Sequence, residues 1–361
     1  MKKNQLILGL VVLAVLVGLA VYAQHQHPFD FHAFAEQFKQ ANWRQIAVGA
    51  GCIYLGYVFR AVRWALLIRH NKKVGLFSLL GTQVIGFTAV ALIGRVADLV
   101  RPYLVSRKTK LPIGSQIAVY IVERLFDAGS MALIFSSVIV LAPAGALPHP
   151  EVFRKFGYWG LAGTAAGALF LVAVRLAGGA VASFFEGVFG MVSKSLGAAV
   201  GEKIRSFRTG LDTLRTPADL AVTLGLSLAM WGLITMAYLE TSRAFVASPE
   251  LASMTLAQGM VLMVSSGVAS IIQLPVLGWF TQIYAVAATL GKLFNVAQEP
   301  ATACAATLLL VTFLGIVPVG LIWAQFEHVS LRKVAEESGH AGEDVGETMK
   351  DERPIEEPSG A

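Results

Sequence analysis

The sequence predicts an all-α protein: a polytopic membrane helix bundle of six clear spans plus two broken or re-entrant helical hairpins in opposite orientation, with eight full spans as the alternative. Three observations predict it. The 361 residues are 55% hydrophobic and only 14% charged, with a mean hydropathy of +0.64, whereas a soluble domain carries about 25% charged residues. Several apolar runs approach or exceed the ~20 residues that cross a bilayer. The basic residues sit in clusters between those runs, where they favour the cytoplasmic side.

The net charge of +6 hides an asymmetry. From Glu327 onward there are ten acidic and four basic residues, which leaves +12 on the preceding part. The expected organisation is therefore an integral membrane domain over 1–326 and an acidic, disordered cytoplasmic tail over 327–361. The tail is polar and free of aromatic residues, a composition too poor in apolar surface to fold alone.

The first span is Leu6–Ala23, an uncleaved anchor because Tyr22-Ala-Gln-His-Gln-His is a poor cleavage site. Lys2 and Lys3 place its start in the cytoplasm. His25 to Asn42 is then external, and Phe29, Phe31, Phe34 and Phe38 predict a short interfacial helix. The second span runs from about Gln45 to Ile68 between the interface anchors Trp43 and Trp64, and ends in the basic stretch Arg69–Lys73.

Leu76–Ile93 presents a conflict. It is apolar enough to cross, yet Arg69, Lys72 and Lys73 precede it while Arg101, Arg107, Lys108 and Lys110 follow it. A simple crossing would strand one basic cluster outside. A re-entrant hairpin that turns near Gly86 or Gly94 and returns resolves the conflict. Non-helical backbone at membrane depth requires burial in protein or a cavity.

Ile113–Leu141 spans, Pro143–Pro150 is an external loop, and Gly157–Leu176 returns. Lys194–Arg215 is basic and partly amphipathic, and is expected on the cytoplasmic surface. Ala218–Leu239 crosses outward. Leu256–Ile272 and Trp279–Leu293 are broken by Gln273, Pro275 and Gly278, since Pro removes a backbone donor and Gly loosens a helix. They predict a second hairpin, opening from outside, and Ala301–Trp323 then returns to the cytoplasm. Inverted halves whose broken helices meet near the midplane are a transporter pattern.

Within this apolar chain one region concentrates charge: Arg95, Asp98 and Arg101, then Glu123, Arg124 and Asp127. Charges at membrane depth cost roughly 2.5–3.5 kcal/mol each on insertion scales and mark sites that face protein or water. On a helix Glu123 and Asp127 share a face, and Arg124 is three residues from Asp127. Two acids exceed one neighbouring Arg, so Arg101 or Arg95 is the expected further partner. The cluster reads either as a lock holding the hairpin to this helix or as an anion-headgroup site, and the two are compatible. Arg60 and Arg63 lie three residues apart on the second span. They either snorkel to lipid phosphates or, for Arg60, share a cavity with Asp98. In the second broken element Gln282 offers an amide to a headgroup or ion, or packs as a hydrogen-bonded amide.

No nucleophile–base pair, phosphate loop or zinc-hydrolase spacing occurs, so no catalytic residue is assigned and an enzyme is the less favoured reading. Cys52 and Cys304 lie in apolar runs, which argues against a disulfide framework. His25, His27 and His32 are a weak metal signal, and no cofactor or metal is expected.

The stretch Gly94, Arg95, Arg101, Pro102 followed by Glu123, Arg124 and Asp127 resembles the membrane domain of the lysylphosphatidylglycerol synthases, the flippase-like family. Arg60-Ala-Val-Arg-Trp64 is similar to the family's second-span motif. The pattern departs at Asp98, where Glu is usual, at Ala97, where Gly is usual, and at Gln282, which replaces an acid. The resemblance covers about Leu6 to Ala324. It implies a bacterial inner-membrane, multi-pass protein that binds or translocates a phospholipid or isoprenoid-linked lipid, with both termini cytoplasmic. The soluble aminoacyltransferase domain of some family members has no counterpart in this sequence, so lysyl-lipid synthesis is not implied. The headgroup candidates are Arg60, Arg63, Arg95 and Arg101, with Asp98, Glu123, Arg124 and Asp127 as the charge network. Expected partners are membrane lipids, anionic or phosphate-bearing, with no nucleic acid, and a homo-oligomer or an envelope-enzyme partner remains open. The alternatives are a membrane glycosyltransferase or its accessory subunit in glycolipid or hopanoid synthesis, or a regulatory scaffold of envelope enzymes.

Overall fold

The computed structural model describes residues 29–211, 216–271, 277–339 and 341, the side chains of 95, 96, 206–211 and 277 excepted. The predicted span Leu6–Ala23 lies outside the described residues, as do Gln273, Pro275 and the tail from 342. Every regular element described is helical.

Helix α1 (Phe31–Gln40) starts where Asp30 accepts hydrogen bonds from the His32 and Ala33 backbone N–H groups. Its Phe38 ring meets Phe245 edge-on at 6.2 Å. Helix α2 (Trp43–Ile68) has 26 residues, about 39 Å at 1.5 Å each, enough to cross.

Helix α3 (Leu76–Ile93) is continuous through Gly86 and stops at Gly94, so the turn falls at the second of the two predicted positions. Gly94 has φ +94° and ψ −168°, a backbone region essentially restricted to glycine. A 3₁₀ turn (Arg95–Leu99) leads into α4 (Val100–Thr109). Helix α4 runs back along α3: Lys108 Nζ donates to the Ser78 carbonyl at 3.1 Å and Lys72 Nζ to the Thr109 carbonyl at 2.8 Å. Both ends of this hairpin therefore lie at one end of the bundle, here called the basic end.

Helix α5 (Ile113–Val140) crosses back. Helix α6 (Pro150–Gly190) outruns the predicted span, with 41 residues and a break in helical geometry at Ala177. Only four of its residues are buried. Helix α7 (Lys194–Leu211) packs beside it. Helix α8 (Pro217–Arg243) starts at the basic end with a Thr216–Asp219 capping box. There Asp219 also pairs with Arg69 and lies 3.2 Å from His70 Nε2.

After the short α9 (Pro249–Ala252), α10 (Leu256–Ala269) and α11 (Leu277–Phe294) form the second hairpin. Ser265 Oγ lies 2.8 Å from Thr289 Oγ1 and donates to the Ala285 carbonyl at 3.2 Å, which fixes the two as neighbours. The open end of this hairpin packs with α1 through Met254, Ala257 and Phe294, in a cluster that includes Phe34, Phe38 and Phe245. It thus opens away from the basic end. Trp279, in the first turn of α11, donates to the Ala91 carbonyl at 3.2 Å, so the two hairpin tips meet inside the bundle.

Helix α12 (Gln298–Leu309) continues through a π turn (Leu310–Leu314) into α13 (Ile316–Phe326). Pro318 cannot donate to the carbonyl four residues back, and a π turn is one way a helix absorbs that loss. Residues 331–339, assigned by sequence to the disordered tail, are helical. Val334 and Ala335 are buried on the first hairpin beside Ala97, Val100 and Leu104, and Tyr103 donates to Glu337 at 2.8 Å. That apolar pair gives the segment a face to dock.

Among the described residues, five elements are long and apolar enough to cross a membrane: α2, α3, α6, α8 and the α12–α13 pair. Helix α5 is 28 residues long but carries Glu123, Arg124 and Asp127. The topology makes a testable statement. In a background without Cys52 and Cys304, cysteines placed at Lys73 and Arg107 should react with a membrane-impermeant maleimide from the same side. Cysteines at Glu250 and Gln298 should react from the other. Labelling of 73 and 107 from opposite sides would rule out the re-entrant hairpin.

Candidate functional site

Three helices deliver charge to one point. Spacing of three residues puts Arg60 and Arg63 on one face of α2, and spacing of four puts Glu123 and Asp127 on one face of α5. Helix α4 adds Arg101. Arg63 donates to Glu123 Oε1 at 2.7 Å, to Asp127 Oδ1 at 2.6 Å and to Ser227 Oγ of α8 at 2.7 Å. Arg101 Nη1 lies 3.1 Å from Glu123 Oε2 and donates to Gln83 Oε1 at 3.0 Å. Arg60 Nη1 reaches Asp127 Oδ2 at 3.2 Å and Glu123 Oε1 at 3.7 Å. Arg124 Nη2 lies 3.3 Å from Asp127 Oδ2 and 3.8 Å from Glu123 Oε1.

Aromatic rings cover what the carboxylates do not. The Arg101 guanidinium sits 4.5 Å from the Phe87 centroid and 5.1 Å from that of Tyr120. Arg60 lies 4.9 Å from Phe87, and Arg124 lies 5.2 Å from Tyr120. Desolvated contacts of this type contribute about 2 kcal/mol. Close approach of the two limbs of the first hairpin depends on Gly86, whose missing side chain leaves the room that the Arg101 stem fills.

The charge count does not balance. Four guanidinium groups (Arg60, Arg63, Arg101, Arg124) share two carboxylates, Glu123 and Asp127. Two positive charges are left over. Arg63 and Arg101 are 1% exposed, whereas the side chain of Arg60 is 11% and that of Arg124 40% exposed, so the excess charge lies toward the edge of the cluster.

The cluster opens onto a cavity of about 290 Å³ between the two hairpins. Its charged wall residues are Arg60, Asp98 and Arg124, and Gln282 lines it from the second hairpin. Tyr57, Phe87, Trp231 and Tyr238 supply aromatic surface. Three wall residues carry N–H groups without an acceptor: Arg124 (Nε, and Nη2, which faces Asp127 without hydrogen-bond geometry), Trp231 (Nε1) and Gln282 (Nε2). Buried donors are nearly always paired in native proteins; these atoms are themselves enclosed, and it is other parts of the same residues that line the cavity.

The sequence-derived candidates fall into place as follows. Arg60 and Asp98 share the cavity wall. Arg63 does not snorkel: it turns inward and is buried, because the face of α2 that carries it meets α5 and Ser227 rather than lipid. Arg101 is buried in the ion network and is not on the cavity wall. Asp98 stands apart from the network, with no ion pair among the described residues. The Arg95 side chain, Gln273 and Pro275 lie outside the described residues. Gly278 is buried near the second tip, and Gln282 is 4% exposed. Sequence reasoning missed Gln83, Ser227 and Trp231. An amide inside the apolar run of α3 was a legible signal for Gln83, while a single serine or tryptophan in a span carries none. Among the described residues no group of three His, Cys, Asp or Glu side chains is placed to hold a metal ion.

The family model described as the lysylphosphatidylglycerol synthase TM region matches residues 6–320. No curated protein and no solved structure matches the chain. The chain belongs to that family, as the motifs from Gly94 to Asp127 implied.

Proposed function

We propose that this protein binds the phosphate-bearing headgroup of a membrane lipid in the cavity between its two hairpins and passes it between the leaflets of the bacterial inner membrane. The observation that carries the reading is the excess of guanidinium groups beside that cavity, four against the carboxylates of Glu123, Asp127 and, on the cavity wall, Asp98. Arginine suits phosphate because its planar fork binds two oxygens at once. Arg60 and Arg124 contact the headgroup. Arg63 and Arg101 hold Glu123 and Asp127, which fix the other two guanidinium groups. Arg95, in the turn at the first hairpin's tip, is the remaining candidate contact. Two hairpins that open to opposite ends and meet at their tips offer one shared site, the arrangement that alternating access uses. The basic end, with Arg69, Lys72, Lys73 and Arg107, faces the cytoplasm on this reading.

Reconstitution tests it. Labelled phosphatidylglycerol should equilibrate across liposome leaflets faster with the protein than without, and Arg60→Gln should slow that rate at least about tenfold, since a lost charge-assisted bond to phosphate is worth roughly 1.5–3 kcal/mol. Equal rates for the two folded proteins would sink the transport role.

A further inference from the structure

We infer that the helix over 331–339 is a strap that restrains the first hairpin, and that its undocking speeds the passage of lipid. The inference rests on the transport reading above and adds a control to it.

The strap begins where α13 ends. His328 turns the chain at φ +52°, and the Val329 N–H returns to the Ala324 carbonyl at 2.8 Å. Glu327 pins this turn to the hairpin. Its Oε1 accepts from Lys108 Nζ at 2.6 Å and from Trp323 Nε1 at 3.2 Å. Beyond the turn, Val334 and Ala335 are buried in one cluster with Ala97, Val100 and Leu104 of the hairpin. Tyr103 donates to Glu337 at 2.8 Å, and Arg107 Nη1 lies 3.7 Å from the same carboxylate. The segment thus ties the return limb of the hairpin to α13.

The place of the tie gives it a consequence. Ala97, Val100 and Leu104 recur at spacings of three and four, so they form one face of the return limb. Asp98 and Arg101 lie on another face, where Asp98 lines the cavity and Arg101 holds Glu123. The strap therefore grips from one side the stretch that builds the site on the other. Alternating access moves one element against its counterpart around a fixed site, and a first hairpin tied to α13 resists that movement.

The tie is also weak enough to release. A helix this short is unstable alone in water, so it persists only while docked. Within it Val334, Ala335 and Ser338 are the buried residues, and the Ser338 hydroxyl donates inside the segment, to the Ala335 carbonyl. The Arg107–Glu337 pair is exposed, at 58% and 35%, and pairs of that kind hold little. Segments with few buried apolar contacts open first.

Hydrogen exchange and lipid movement, both measured on the full chain in phosphatidylglycerol-containing liposomes, test the strap. Val334→Asp combined with Ala335→Asp puts two carboxylates on the docking face. Amide exchange over 331–339 should rise about tenfold or more, since an unpaired charge is not tolerated in an apolar contact. Exchange over Val100–Thr109 should rise with it, while α8 exchanges as in wild type. Labelled phosphatidylglycerol should then equilibrate about threefold or more faster, as the released population grows. Tyr103→Phe keeps the ring and drops the bond to Glu337, so it should move both readouts the same way by less. Glu336→Gln, in an exposed pair with Arg332, should move neither.

Faster exchange over 331–339 with lipid movement unchanged or slower overturns the inference and leaves the proposed function standing. Exchange over Val100–Thr109 that stays at the wild-type rate overturns it too, because the return limb is then not held by the segment. If α8 also exchanges faster, the double variant has lost its fold and Tyr103→Phe decides by the same two readouts. A wild type that moves no lipid beside an undocked variant that does supports both readings. No lipid movement by wild type or by either undocked variant overturns both.

Discussion

Glu123→Gln is expected to destabilise the folded bundle by about 3–5 kcal/mol, the cost of leaving a buried ion without its partner. Glu123 lies within 4 Å of all four guanidinium groups: Arg63 at 2.7 Å, Arg101 at 3.1 Å, Arg60 at 3.7 Å and Arg124 at 3.8 Å. The amide keeps the shape and removes the charge. Arg63 and Arg101, each 1% exposed, then face the apolar interior with Asp127 as the one remaining acid in the cluster. Neither can snorkel, since Arg63 is held by Ser227 and Arg101 lies beneath Phe87 and Tyr120. The unfolding midpoint in detergent reads the effect. Glu186→Gln breaks an exposed pair with Arg205 and should cost at most about 1 kcal/mol. Adding Arg101→Gln to Glu123→Gln should recover part of the loss, because one cation and one anion leave together. A Glu123→Gln protein that melts with wild type would show that the four contacts do not act as a network.

The first hairpin was legible because it follows from a conflict. Basic residues on both flanks of Leu76–Ile93 exclude a simple crossing, and a returning chain satisfies them. Its partner was only half legible. Helical spacing put Glu123 and Asp127 on one face, but nothing in the sequence says which face of α2 meets α5. Distance from the membrane end therefore suggested that Arg63 snorkels, when it supplies the shortest ion pairs of the cluster. The second hairpin was predicted from Pro275 and Gly278, residues that break helices whatever surrounds them. The break between Ala269 and Leu277 falls at that point. The helix over 331–339 was hidden by composition. Acidic residues on its outer face outweighed Val334 and Ala335, and two apolar residues become a docking face only when Leu104 and Val100 are opposite.

The cavity wall follows the same pattern. Arg60 and Asp98 are 38 residues apart in sequence and belong together only once the tip of the first hairpin is folded against α2. Trp231 and Gln282 come from the other half of the chain, so the cavity wall is a tertiary product that no local spacing encodes.

Gly86→Ala should be nearly as damaging as the loss of Arg101 itself, and by the same route. A Cβ at position 86 would overlap Arg101 Cγ and come within 3.1 Å of its Cδ and 3.3 Å of its Cβ. The obstruction is the stem of the side chain, not a flexible end that can swing away. Arg101 must therefore leave its place. Gln83 and Glu123 lose the donor that now lies 3.0–3.1 Å from them. Overpacking alone costs about 1–3 kcal/mol, and the broken ion contacts add to it. A double-mutant cycle separates this cause from a general effect on α3. In Arg101→Ala the overlapping Cγ and the Cδ are gone and only Cβ remains, at 3.3 Å, so Gly86→Ala should then cost little, with a coupling energy of about 1–3 kcal/mol between the two positions. Additive unfolding midpoints would mean that the two residues do not compete for one space. Translocation should follow the same cycle. If Arg101 acts by holding Glu123 in place, Gly86→Ala and Arg101→Ala should slow lipid movement to the same rate, and the double variant should slow it no further.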